Sequence, residues 1–310
     1  MQKFFFDLKF ALRQLRKSPG FTATAVLMLA FGIGATTAIF FIVEGVLLRP
    51  LPFPHPDRMV VLADHLQGAD VGGNGEAGVT VPDIRAYTRD TNSFAALGGY
   101  GFAAYELSGA GEPVQVNASR LTAGVFSALA VAPQHGRVFT AEEAEHNQQV
   151  AVLSYAIWQD RFHGDKQILG TKILLDRKPY LIIGVMPRNF EFPLIAGQLN
   201  RTALWVPMSF TAQELSTPNA SNWSYQMVGR LKPGISLSQA QSDAERVAQE
   251  IMRNYPADMA SLRIGSVVRP LQEETVEQSR PLLRTLSMAA AVVLLIACVN
   301  MAGLRCIPRG

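Results

Sequence analysis

The chain has 310 residues, of which 48% are hydrophobic, and its mean hydropathy is +0.14. These values are high for a soluble protein and too low for a chain buried throughout in lipid, so we expect a few membrane spans joined to a large aqueous region. The net charge of +3 is too small and scattered to indicate a nucleic-acid-binding protein, and the two cysteines, Cys298 and Cys306, leave the central region without a disulfide framework.

The first predicted element is an amphipathic helix over residues 1–20, on the cytoplasmic side of a membrane. Phe4, Leu8 and Leu12 recur at helical spacing, and lysines and arginines occupy the other faces. A helix of this kind lies along a membrane surface, and an ordinary basic flank is the alternative. The Ser-Pro-Gly sequence at residues 18–20 is predicted to break this helix.

A first transmembrane helix is predicted at residues 21–48. The run Ser18–Val43 holds 26 residues without a charge, which is about 39 Å as a helix against a hydrocarbon core of about 30 Å. A buried core helix and a cleaved signal peptide are the alternatives, although the run is longer than the apolar region of a signal peptide. Ala30, Gly34 and Ala38 recur every four residues and form a stripe of small side chains on which another helix can pack closely.

A second transmembrane helix is predicted at residues 284–304, because Thr285–Leu304 is also free of charge. Asn300 within it is a candidate for a polar contact between helices. Residues 305–310 then form a short cytoplasmic tail.

Positive charges set the predicted orientation of both helices. Five lysines and arginines precede the first span, and Asp7 is the one acidic residue that opposes them. The positive-inside rule therefore places the N-terminus in the cytoplasm and residues 49–283 on the far side of the membrane.

Residues 49–283 are predicted to fold as an α+β domain. Strands are predicted at Met59–Leu66, Tyr100–Leu107, Pro113–Leu121, Val150–Leu153, Lys172–Leu175, Tyr180–Met186, Ala203–Val206, Tyr225–Leu231 and Leu262–Arg269. Helices are predicted after the N-cap residues Thr80, Thr140, Ser154 and Ser236, and at Thr122–Leu129 and Val276–Leu283. The helix after Ser236 is predicted to bury Leu237, Ala240, Ala244, Val247, Ala248 and Ile251. This order indicates a split strand-and-helix module at about 56–132 and 224–275, interrupted by a β-rich insert at about 133–222.

No motif in the sequence supports catalysis, a metal site or a cofactor. The five histidines show no metal-ligand spacing, and the H-E-x-x-H, C-x-x-C and G-x-S-x-G patterns are absent. The glycine-rich loop Gly68–Gly78 lacks the Lys-Ser/Thr step of a phosphate cradle. Asp64 with His65, and Glu142 with Glu143, are the acidic candidates, but acidic residues at a capping box more often stabilise a helix start. Trp158, Trp205 and Trp223 are predicted to be core or hairpin aromatics. We therefore expect no catalytic, cofactor-binding or metal-binding residue and no enzymatic activity.

Three stretches together resemble a known family. They are Asp7–Val60, Gly136–Pro193, which contains GTKILLDRKPYLIIGVMPRNFEFP, and Leu294–Leu304. All three resemble MacB/FtsX-type ABC transporter permeases, and within these the duplicated orphan permeases first named in acidobacteria. The resemblance implies a MacB-like periplasmic core domain between two transmembrane helices, with a porter-like α/β lobe and an inserted β-rich lobe.

The resemblance also implies a role and partners. Such permeases relay conformational change between a cytoplasmic ABC ATPase and the outer domain, for export or extraction of substrates. The expected partners are the lipid bilayer, that ATPase, and a second copy or another permease half, with no nucleic acid. Family members continue past the second span with an arginine-rich stretch and further spans, whereas this chain ends in AGLRCIPRG, so we expect an N-terminal fragment of a permease. The alternatives are a two-span, membrane-anchored periplasmic binding or interaction module without transport activity, and an exported enzyme with an atypical leader.

Overall fold

The structure is a computed structural model that describes residues 51–68, 75–109, 111–194, 201–210, 222–255 and 263–277, and single positions between 19 and 37 and between 285 and 295. The chain divides into two units. One consists of Pro50–Thr275, and the other of Met1–Arg49 with Val276–Gly310.

The described positions of the second unit are all helical. Their large apolar side chains are exposed: Val26, Leu27, Ile33, Met288, Val292 and Leu295. Among the positions described, no helix is both long enough and apolar enough to cross a membrane. Most of the two predicted spans, most of the surface helix at 1–20 and all of the tail at 305–310 lie outside the described residues, so these assignments stay predictions.

Pro19 and Gly20 are helical, and residues 1–18 lie outside the described part of the chain. Proline is tolerated in the first turn of a helix, so a helix that begins here is compatible with a break before it. The break at residues 18–20 stays a prediction.

The described residues of the unit Pro50–Thr275 form one mixed sheet of eleven strands. They are β1 (Met59–Gln67), β2 (Glu76–Ala77), β3 (Phe94–Ser108), β4 (Val114–Leu121), β5 (His135–Gly136), β6 (Val150–Leu153), β7 (Lys172–Leu175), β8 (Lys178–Val185), β9 (Leu204–Pro207), β10 (Gln226–Leu231) and β11 (Arg263–Pro270). Their order is β11-β1-β10-β3-β4-β9-β6-β8-β5, with β2 paired to β1, and β7 paired to both β3 and β8. Pairing is antiparallel except for β4 with β9 and β6 with β8.

Six α-helices lie among the described residues of this unit or extend from it. They are α1 (Val81–Asp90), α2 (Ala123–Leu129), α3 (Ala141–Glu145), α4 (Tyr155–Phe162), α5 (Leu237–Arg253) and α6 (Leu271–Glu277), with 3-10 turns at Pro56–Arg58 and Lys166–Ile168. Capping boxes begin α1, α3 and α5, as the sequence predicted, and the Ser154 side chain accepts a hydrogen bond at the start of α4. These caps satisfy N–H groups that have no partner within the helix.

The two faces of the sheet carry separate cores. One face of β1, β10 and β3 packs against α1 and α5, which bury Ile84, Tyr87, Ala244 and Val247. The opposite face packs against α2 and a group of aromatic side chains that includes Phe190. A third cluster surrounds Trp158, Ile182 and Leu204 in the region of the predicted insert. The strands of the predicted insert join those of the split module in one continuous sheet, through β4 with β9 and β3 with β7.

Several predicted boundaries are wrong for identifiable reasons. The β3 strand begins at Phe94 rather than Tyr100, because its glycine-rich first half lies beneath helices that approach the backbone closely. The β7–β8 turn is the two-residue pair Asp176-Arg177, with φ values of 47° and 64°, so β8 begins at Lys178. The last helix, α6, starts at Leu271 rather than at residue 276. Leu237, predicted to be buried, is 39% exposed because it occupies the first turn of α5, beyond the face that packs on the sheet.

Candidate functional site

The residues that the sequence singled out in the predicted spans remain largely untested. Ala30 and Gly34 are exposed helical positions, and a methyl group added at Gly34 would meet no atom within 4 Å. Ala38 and Asn300 lie outside the described residues. The small-residue stripe and the interhelical contact of Asn300 therefore stay predictions.

The acidic candidates of the central region have structural contacts. Glu143 closes the capping box of α3 and forms an ion pair with Arg137 at 2.7 Å, which holds the pKa of Glu143 below its ordinary value. Trp158 and Trp205 are buried and donate hydrogen bonds to backbone carbonyls, as expected of core aromatics. Within the described ranges, no group of three or more His, Cys, Asp or Glu side chains could hold a metal ion.

The two connections of the unit Pro50–Thr275 leave the sheet at the same end. The β1 strand begins at Met59, β11 ends at Pro270, and the two strands are antiparallel neighbours with Val60 opposite Pro270. The chain passes from one unit to the other between Arg49 and Pro50, before β1, and between Thr275 and Val276, within α6.

Arg230 holds the segment that leads into β1. It lies on β10 and is 7% exposed, and its guanidinium donates to Pro54 O at 2.6 Å, Ala128 O at 2.7 Å and Leu129 O at 3.3 Å. Burial lowers the pKa of Arg230, and the neighbouring charge of Arg58 lowers it further. One side chain thus joins the leading segment, the C-terminal end of α2 and the sheet, where the carbonyls at the helix end favour a cation.

Arg58 adds a second contact at the same place. Its Nε donates to Leu231 O at 2.8 Å, across the β1–β10 pair. His55, just before it, has the left-handed backbone conformation with φ 49° and ψ 62°. We call Arg58 and Arg230 the β1 clamp, because together they fix a sharply bent segment onto β10.

Arg269 holds the other connection. Its Nη2 contacts Glu76 Oε2 at 2.7 Å and Glu274 Oε2 at 2.6 Å, so one nitrogen joins β11, β2 and α6. All three side chains are largely buried, which screens the charges less than at an open surface. We call Arg269, Glu76 and Glu274 the β11 clamp.

A cavity of about 220 Å³ adjoins the β11 clamp. Glu76 and Glu274 line it on one side, and Tyr100, Gln226 and Met227 line the sheet side. Burial raises the pKa of Tyr100, and the charge of Glu274 raises it further, so the phenol is neutral and available as a hydrogen-bond donor. The cavity could hold a small molecule that contacts both the sheet and the clamp.

A pair of buried carboxyl groups lies on the opposite face of the sheet. Asp64 of β1 and Asp83 of α1 are both fully buried. Tyr87 Oη donates to Asp64 Oδ1 at 2.8 Å, and Trp223 Nε1 donates to Asp64 Oδ2 at 3.1 Å. Burial raises the pKa of Asp64 well above its ordinary value, and the charge and hydrogen bond of Asp83 raise it further, while Tyr87 and Trp223 act in the opposite direction.

Asp83 accepts more hydrogen bonds than Asp64. Thr80 N donates to its Oδ2 at 2.9 Å, Thr80 Oγ1 makes a further short contact, and Tyr255 Oη lies 3.1 Å from Oδ2. The raised pKa of Asp64 favours its protonated form, and Asp83 is the carboxyl group with more hydrogen-bond donors around it. This arrangement ties β1, α1 and the residue Tyr255 just beyond α5 together.

Sequence reasoning missed both clamps. Arg230 did carry a signal, because it shares a strand face with Val228 and alternation places it towards a core. Its partners are carbonyls about a hundred or more positions away, and no local pattern identifies them. Arg269 likewise meets Glu76 only because β2 and β11 flank β1.

Comparison with known proteins gives a consistent set of matches. The family model for the MacB-like periplasmic core domain matches residues 22–247. Proteins named macrolide export ATP-binding/permease protein MacB, from Salmonella paratyphi A and Salmonella typhi, are each 23% identical over 162 residues. That alignment covers 52% of this chain and 24% of each relative, so the chain spans only a small part of their length.

Two solved structures are among those to which the chain is similar. The periplasmic region of MacB from Actinobacillus actinomycetemcomitans is 11% identical, with a TM-score of 0.49 over 79% of this chain and 98% of that one. The extracellular domain of the noncanonic ABC-type transporter YknZ from Gram-positive bacteria is 15% identical, with a TM-score of 0.45 over 66% of this chain and 98% of that one.

Proposed function

The chain belongs to the MacB-like periplasmic core domain family, and from this premise we propose that it is part of an ABC-type permease that relays conformational change across the inner membrane. In this proposal the N-terminus is cytoplasmic and the unit Pro50–Thr275 is periplasmic. A separate cytoplasmic ATPase drives the movement, and a second copy or another permease half completes the transporter. The chain contributes movement and contacts but no catalytic group.

One observation carries the proposal. The two connections of the unit Pro50–Thr275 reach adjacent strands at one end of the sheet, and each is held there by an arginine clamp. A rotation or separation of the connecting segments therefore acts directly on β1 and β11. In the strand order, β10 and the 15-residue strand β3 follow β1 and connect it to the other edge of the sheet.

The β1 clamp supports transmission because its contacts cross between elements. Arg230 links the segment before β1 to the end of α2, and α2 packs in the core on that face of the sheet. Several charge-assisted hydrogen bonds hold geometry more firmly than apolar contact alone, since each has a preferred direction. Displacement of Pro54 is thereby passed to α2 as well as to β1.

The test is an ATP-dependent change at the β11 clamp. Cysteines replace Glu76 and Glu274, which contact the same nitrogen of Arg269, in a chain whose Cys298 and Cys306 are changed to alanine. Disulfide formation is measured in membranes of the native organism, with ATP, without ATP, and with ATP plus vanadate. We expect the rate to differ between the samples with and without ATP. Vanadate traps the ATPase in a nucleotide-bound state, so it should hold the rate at a value different from the nucleotide-free one.

A matched pair within the sheet serves as the control. Cysteines at Glu106 and Gln115 face each other across β3 and β4, far along the chain from either connection. Their rate of disulfide formation should not respond to ATP. Equal responses of both pairs, or no response of the β11 clamp pair, would contradict the relay.

Topology has its own test. A cysteine in place of the exposed Gln167 should react with a membrane-impermeant maleimide in intact cells once the outer membrane is permeabilised. Labelling only after the inner membrane is broken would place the unit in the cytoplasm and refute the proposed orientation.

A membrane-anchored binding module is the second candidate, and the cavity beside the β11 clamp favours it. For that function, disulfide formation between positions 76 and 274 would be insensitive to ATP but would slow when a small molecule occupies the cavity. The same cysteine pair therefore distinguishes the two functions.

A further inference from the structure

The outer edge of β11 is covered by a helix instead of a strand. β11 is the first strand in the sheet order, and its inner edge pairs with β1 over eight residues. Among the described residues, α5 packs along this strand. An uncovered edge strand presents a row of free N–H and C=O groups that can pair with another chain.

Three side chains of α5 bond the outward N–H groups of β11. Val268 N donates to Gln241 Oε1 at 2.7 Å, Ser266 N to Glu245 Oε2 at 2.8 Å, and Ile264 N to Met252 Sδ at 3.0 Å. At three alternate residues of β11, the outward N–H group is therefore hydrogen-bonded to a side chain of α5. The contacts follow the edge itself rather than the face of the sheet.

Gln241 reproduces the bonding of a neighbouring strand. Its Oε1 accepts from Val268 N while its Nε2 donates to Ser266 O, both at 2.7 Å. A residue on a parallel neighbouring strand makes the same two bonds, to the carbonyl before and the N–H after the position it faces. The amide of Gln241 therefore stands where a peptide group of a twelfth strand would stand.

The rise of an α-helix allows its side chains to take the place of a neighbouring strand. Four residues of α-helix advance about 6 Å, and two residues of β-strand advance about 6.6 Å. Gln241 and Glu245 are four apart, and their partners Val268 and Ser266 are two apart. Side chains four residues apart on α5 can therefore reach successive outward N–H groups of β11, which are two residues apart.

We propose that Gln241, Glu245 and Met252, here named the edge guard, protect β11 from strand addition, and that the strand they exclude is β11 of a second copy of this chain. A second copy is the natural competitor because its edge has the same row of groups and is present at the same concentration. The edge guard keeps the sheet closed on this side.

The geometry of the edge defines how two copies would pair. Antiparallel pairing about Ser266 places Ile264 of one copy opposite Val268 of the other, with Ser266 opposite itself. Every outward N–H that the edge guard now occupies then meets an outward carbonyl of the other strand. This register also places Arg263 opposite Arg269, whose charge is already paired with Glu76 and Glu274. The barrier to pairing is therefore the one made by the edge guard.

The first readout is amide hydrogen exchange of the full-length chain, measured at single residues. In the double variant Gln241→Ala/Glu245→Ala, the amides of Ser266 and Val268 should exchange faster by a factor of about 5 to 30, because each loses one hydrogen bond. Ile264 keeps its contact with Met252 and should change least. The matched control is Gln249→Ala/Glu250→Ala, which removes the same residue types from the exposed face of α5.

The second readout is a disulfide that only the proposed pairing allows. Ser266→Cys is introduced with Cys298 and Cys306 changed to alanine. Residues opposite each other in such a pair have Cα atoms about 5.5 Å apart, within the range of a disulfide. With the edge guard intact, position 266 is only 5% exposed and should stay unlinked. With Gln241→Ala/Glu245→Ala, dimers should form through this cysteine.

Each other outcome overturns the proposal. Unchanged exchange at Ser266 and Val268 would show that the side chains do not protect the edge. Faster exchange without cross-linked dimers would show that the edge does not pair with its copy, and cross-linking to a different polypeptide would name another occupant. If the double variant fails to fold, Gln241→Ala alone carries the test, and Glu245→Gln, which keeps an acceptor oxygen for Ser266 N, should behave as the unmodified chain.

Discussion

Replacing Asp64 with asparagine should change how the stability of the chain depends on pH. In an unfolded chain an aspartate titrates near pH 3.9, whereas burial beside Asp83 raises the pKa of Asp64 well above that value. Between the two values the folded chain holds a proton that the unfolded chain has released. The free energy of unfolding therefore falls as pH rises through this interval, by about 1.4 kcal/mol per pH unit, and levels off above the folded pKa.

Asparagine removes this dependence but also removes one hydrogen bond. It has no carboxyl proton, so the slope from this position disappears. Its Oδ1 can still accept from Tyr87, but its Nδ2 cannot accept from Trp223, which should lower the free energy of unfolding by about 1 to 3 kcal/mol. The variant should therefore be less stable than the unmodified chain near pH 4. As pH rises towards the folded pKa of Asp64, the difference should shrink, because only the unmodified chain loses stability from this position.

The assay is urea unfolding of the full-length chain in detergent at a series of pH values, followed by tryptophan fluorescence. All three tryptophans lie in the unit Pro50–Thr275, so the signal reports on that unit. Asp160→Asn is the control, because it makes the same chemical change at an exposed position of α4. Parallel stability curves for Asp64→Asn and the unmodified chain would refute the raised pKa of Asp64. Titrating groups distant from position 64 contribute equally to both proteins and cancel in the difference.

Three further predictions concern the β1 clamp, a close backbone approach and a helix cap, all measured as changes in the free energy of unfolding in urea. Arg230→Met should lower it by about 3 to 5 kcal/mol, because buried carbonyls lose a charged donor, while Arg230→Lys should lower it less. Gly184→Ala should lower it by about 1 to 3 kcal/mol, because the added carbon would lie 2.2 Å from the backbone oxygen of Arg137. Ser236→Ala should lower it by about 1 kcal/mol through loss of the N-cap of α5, and a change below a few tenths would contradict that role.

Features that depend on residues a few positions apart in the sequence were predictable. The capping boxes at Thr80, Thr140 and Ser236 begin helices as predicted, because the cap and its partner are three residues apart. The buried face of α5 also followed from spacing alone, except at Leu237. Family membership was likewise predictable, because Gly136–Pro193 carries a run of fold-defining residues.

The candidate site was not predictable in the same way. Asp64 and Asp83 belong to a strand and a helix start, and each looks ordinary in its own segment. Their pairing depends on how α1 crosses β1, which no short pattern encodes. Gln241 and Glu245 read as solvated residues of an amphipathic helix, and only the position of β11 reveals what they bond.

The shared end of β1 and β11 has a mechanical consequence. A force that separates residues 50 and 275 breaks the hydrogen bonds between β1 and β11 one after another, starting at Val60 and Pro270. A force applied to opposite ends of the two strands would instead load all of these bonds together. Breaking hydrogen bonds one after another needs less force than breaking them all at once. This end of the β1–β11 pair can therefore separate gradually while the other strands keep their positions. The contacts of Arg230 and Arg269 lie at that end and are loaded first. Their strength therefore sets the force at which the β1–β11 pair begins to separate.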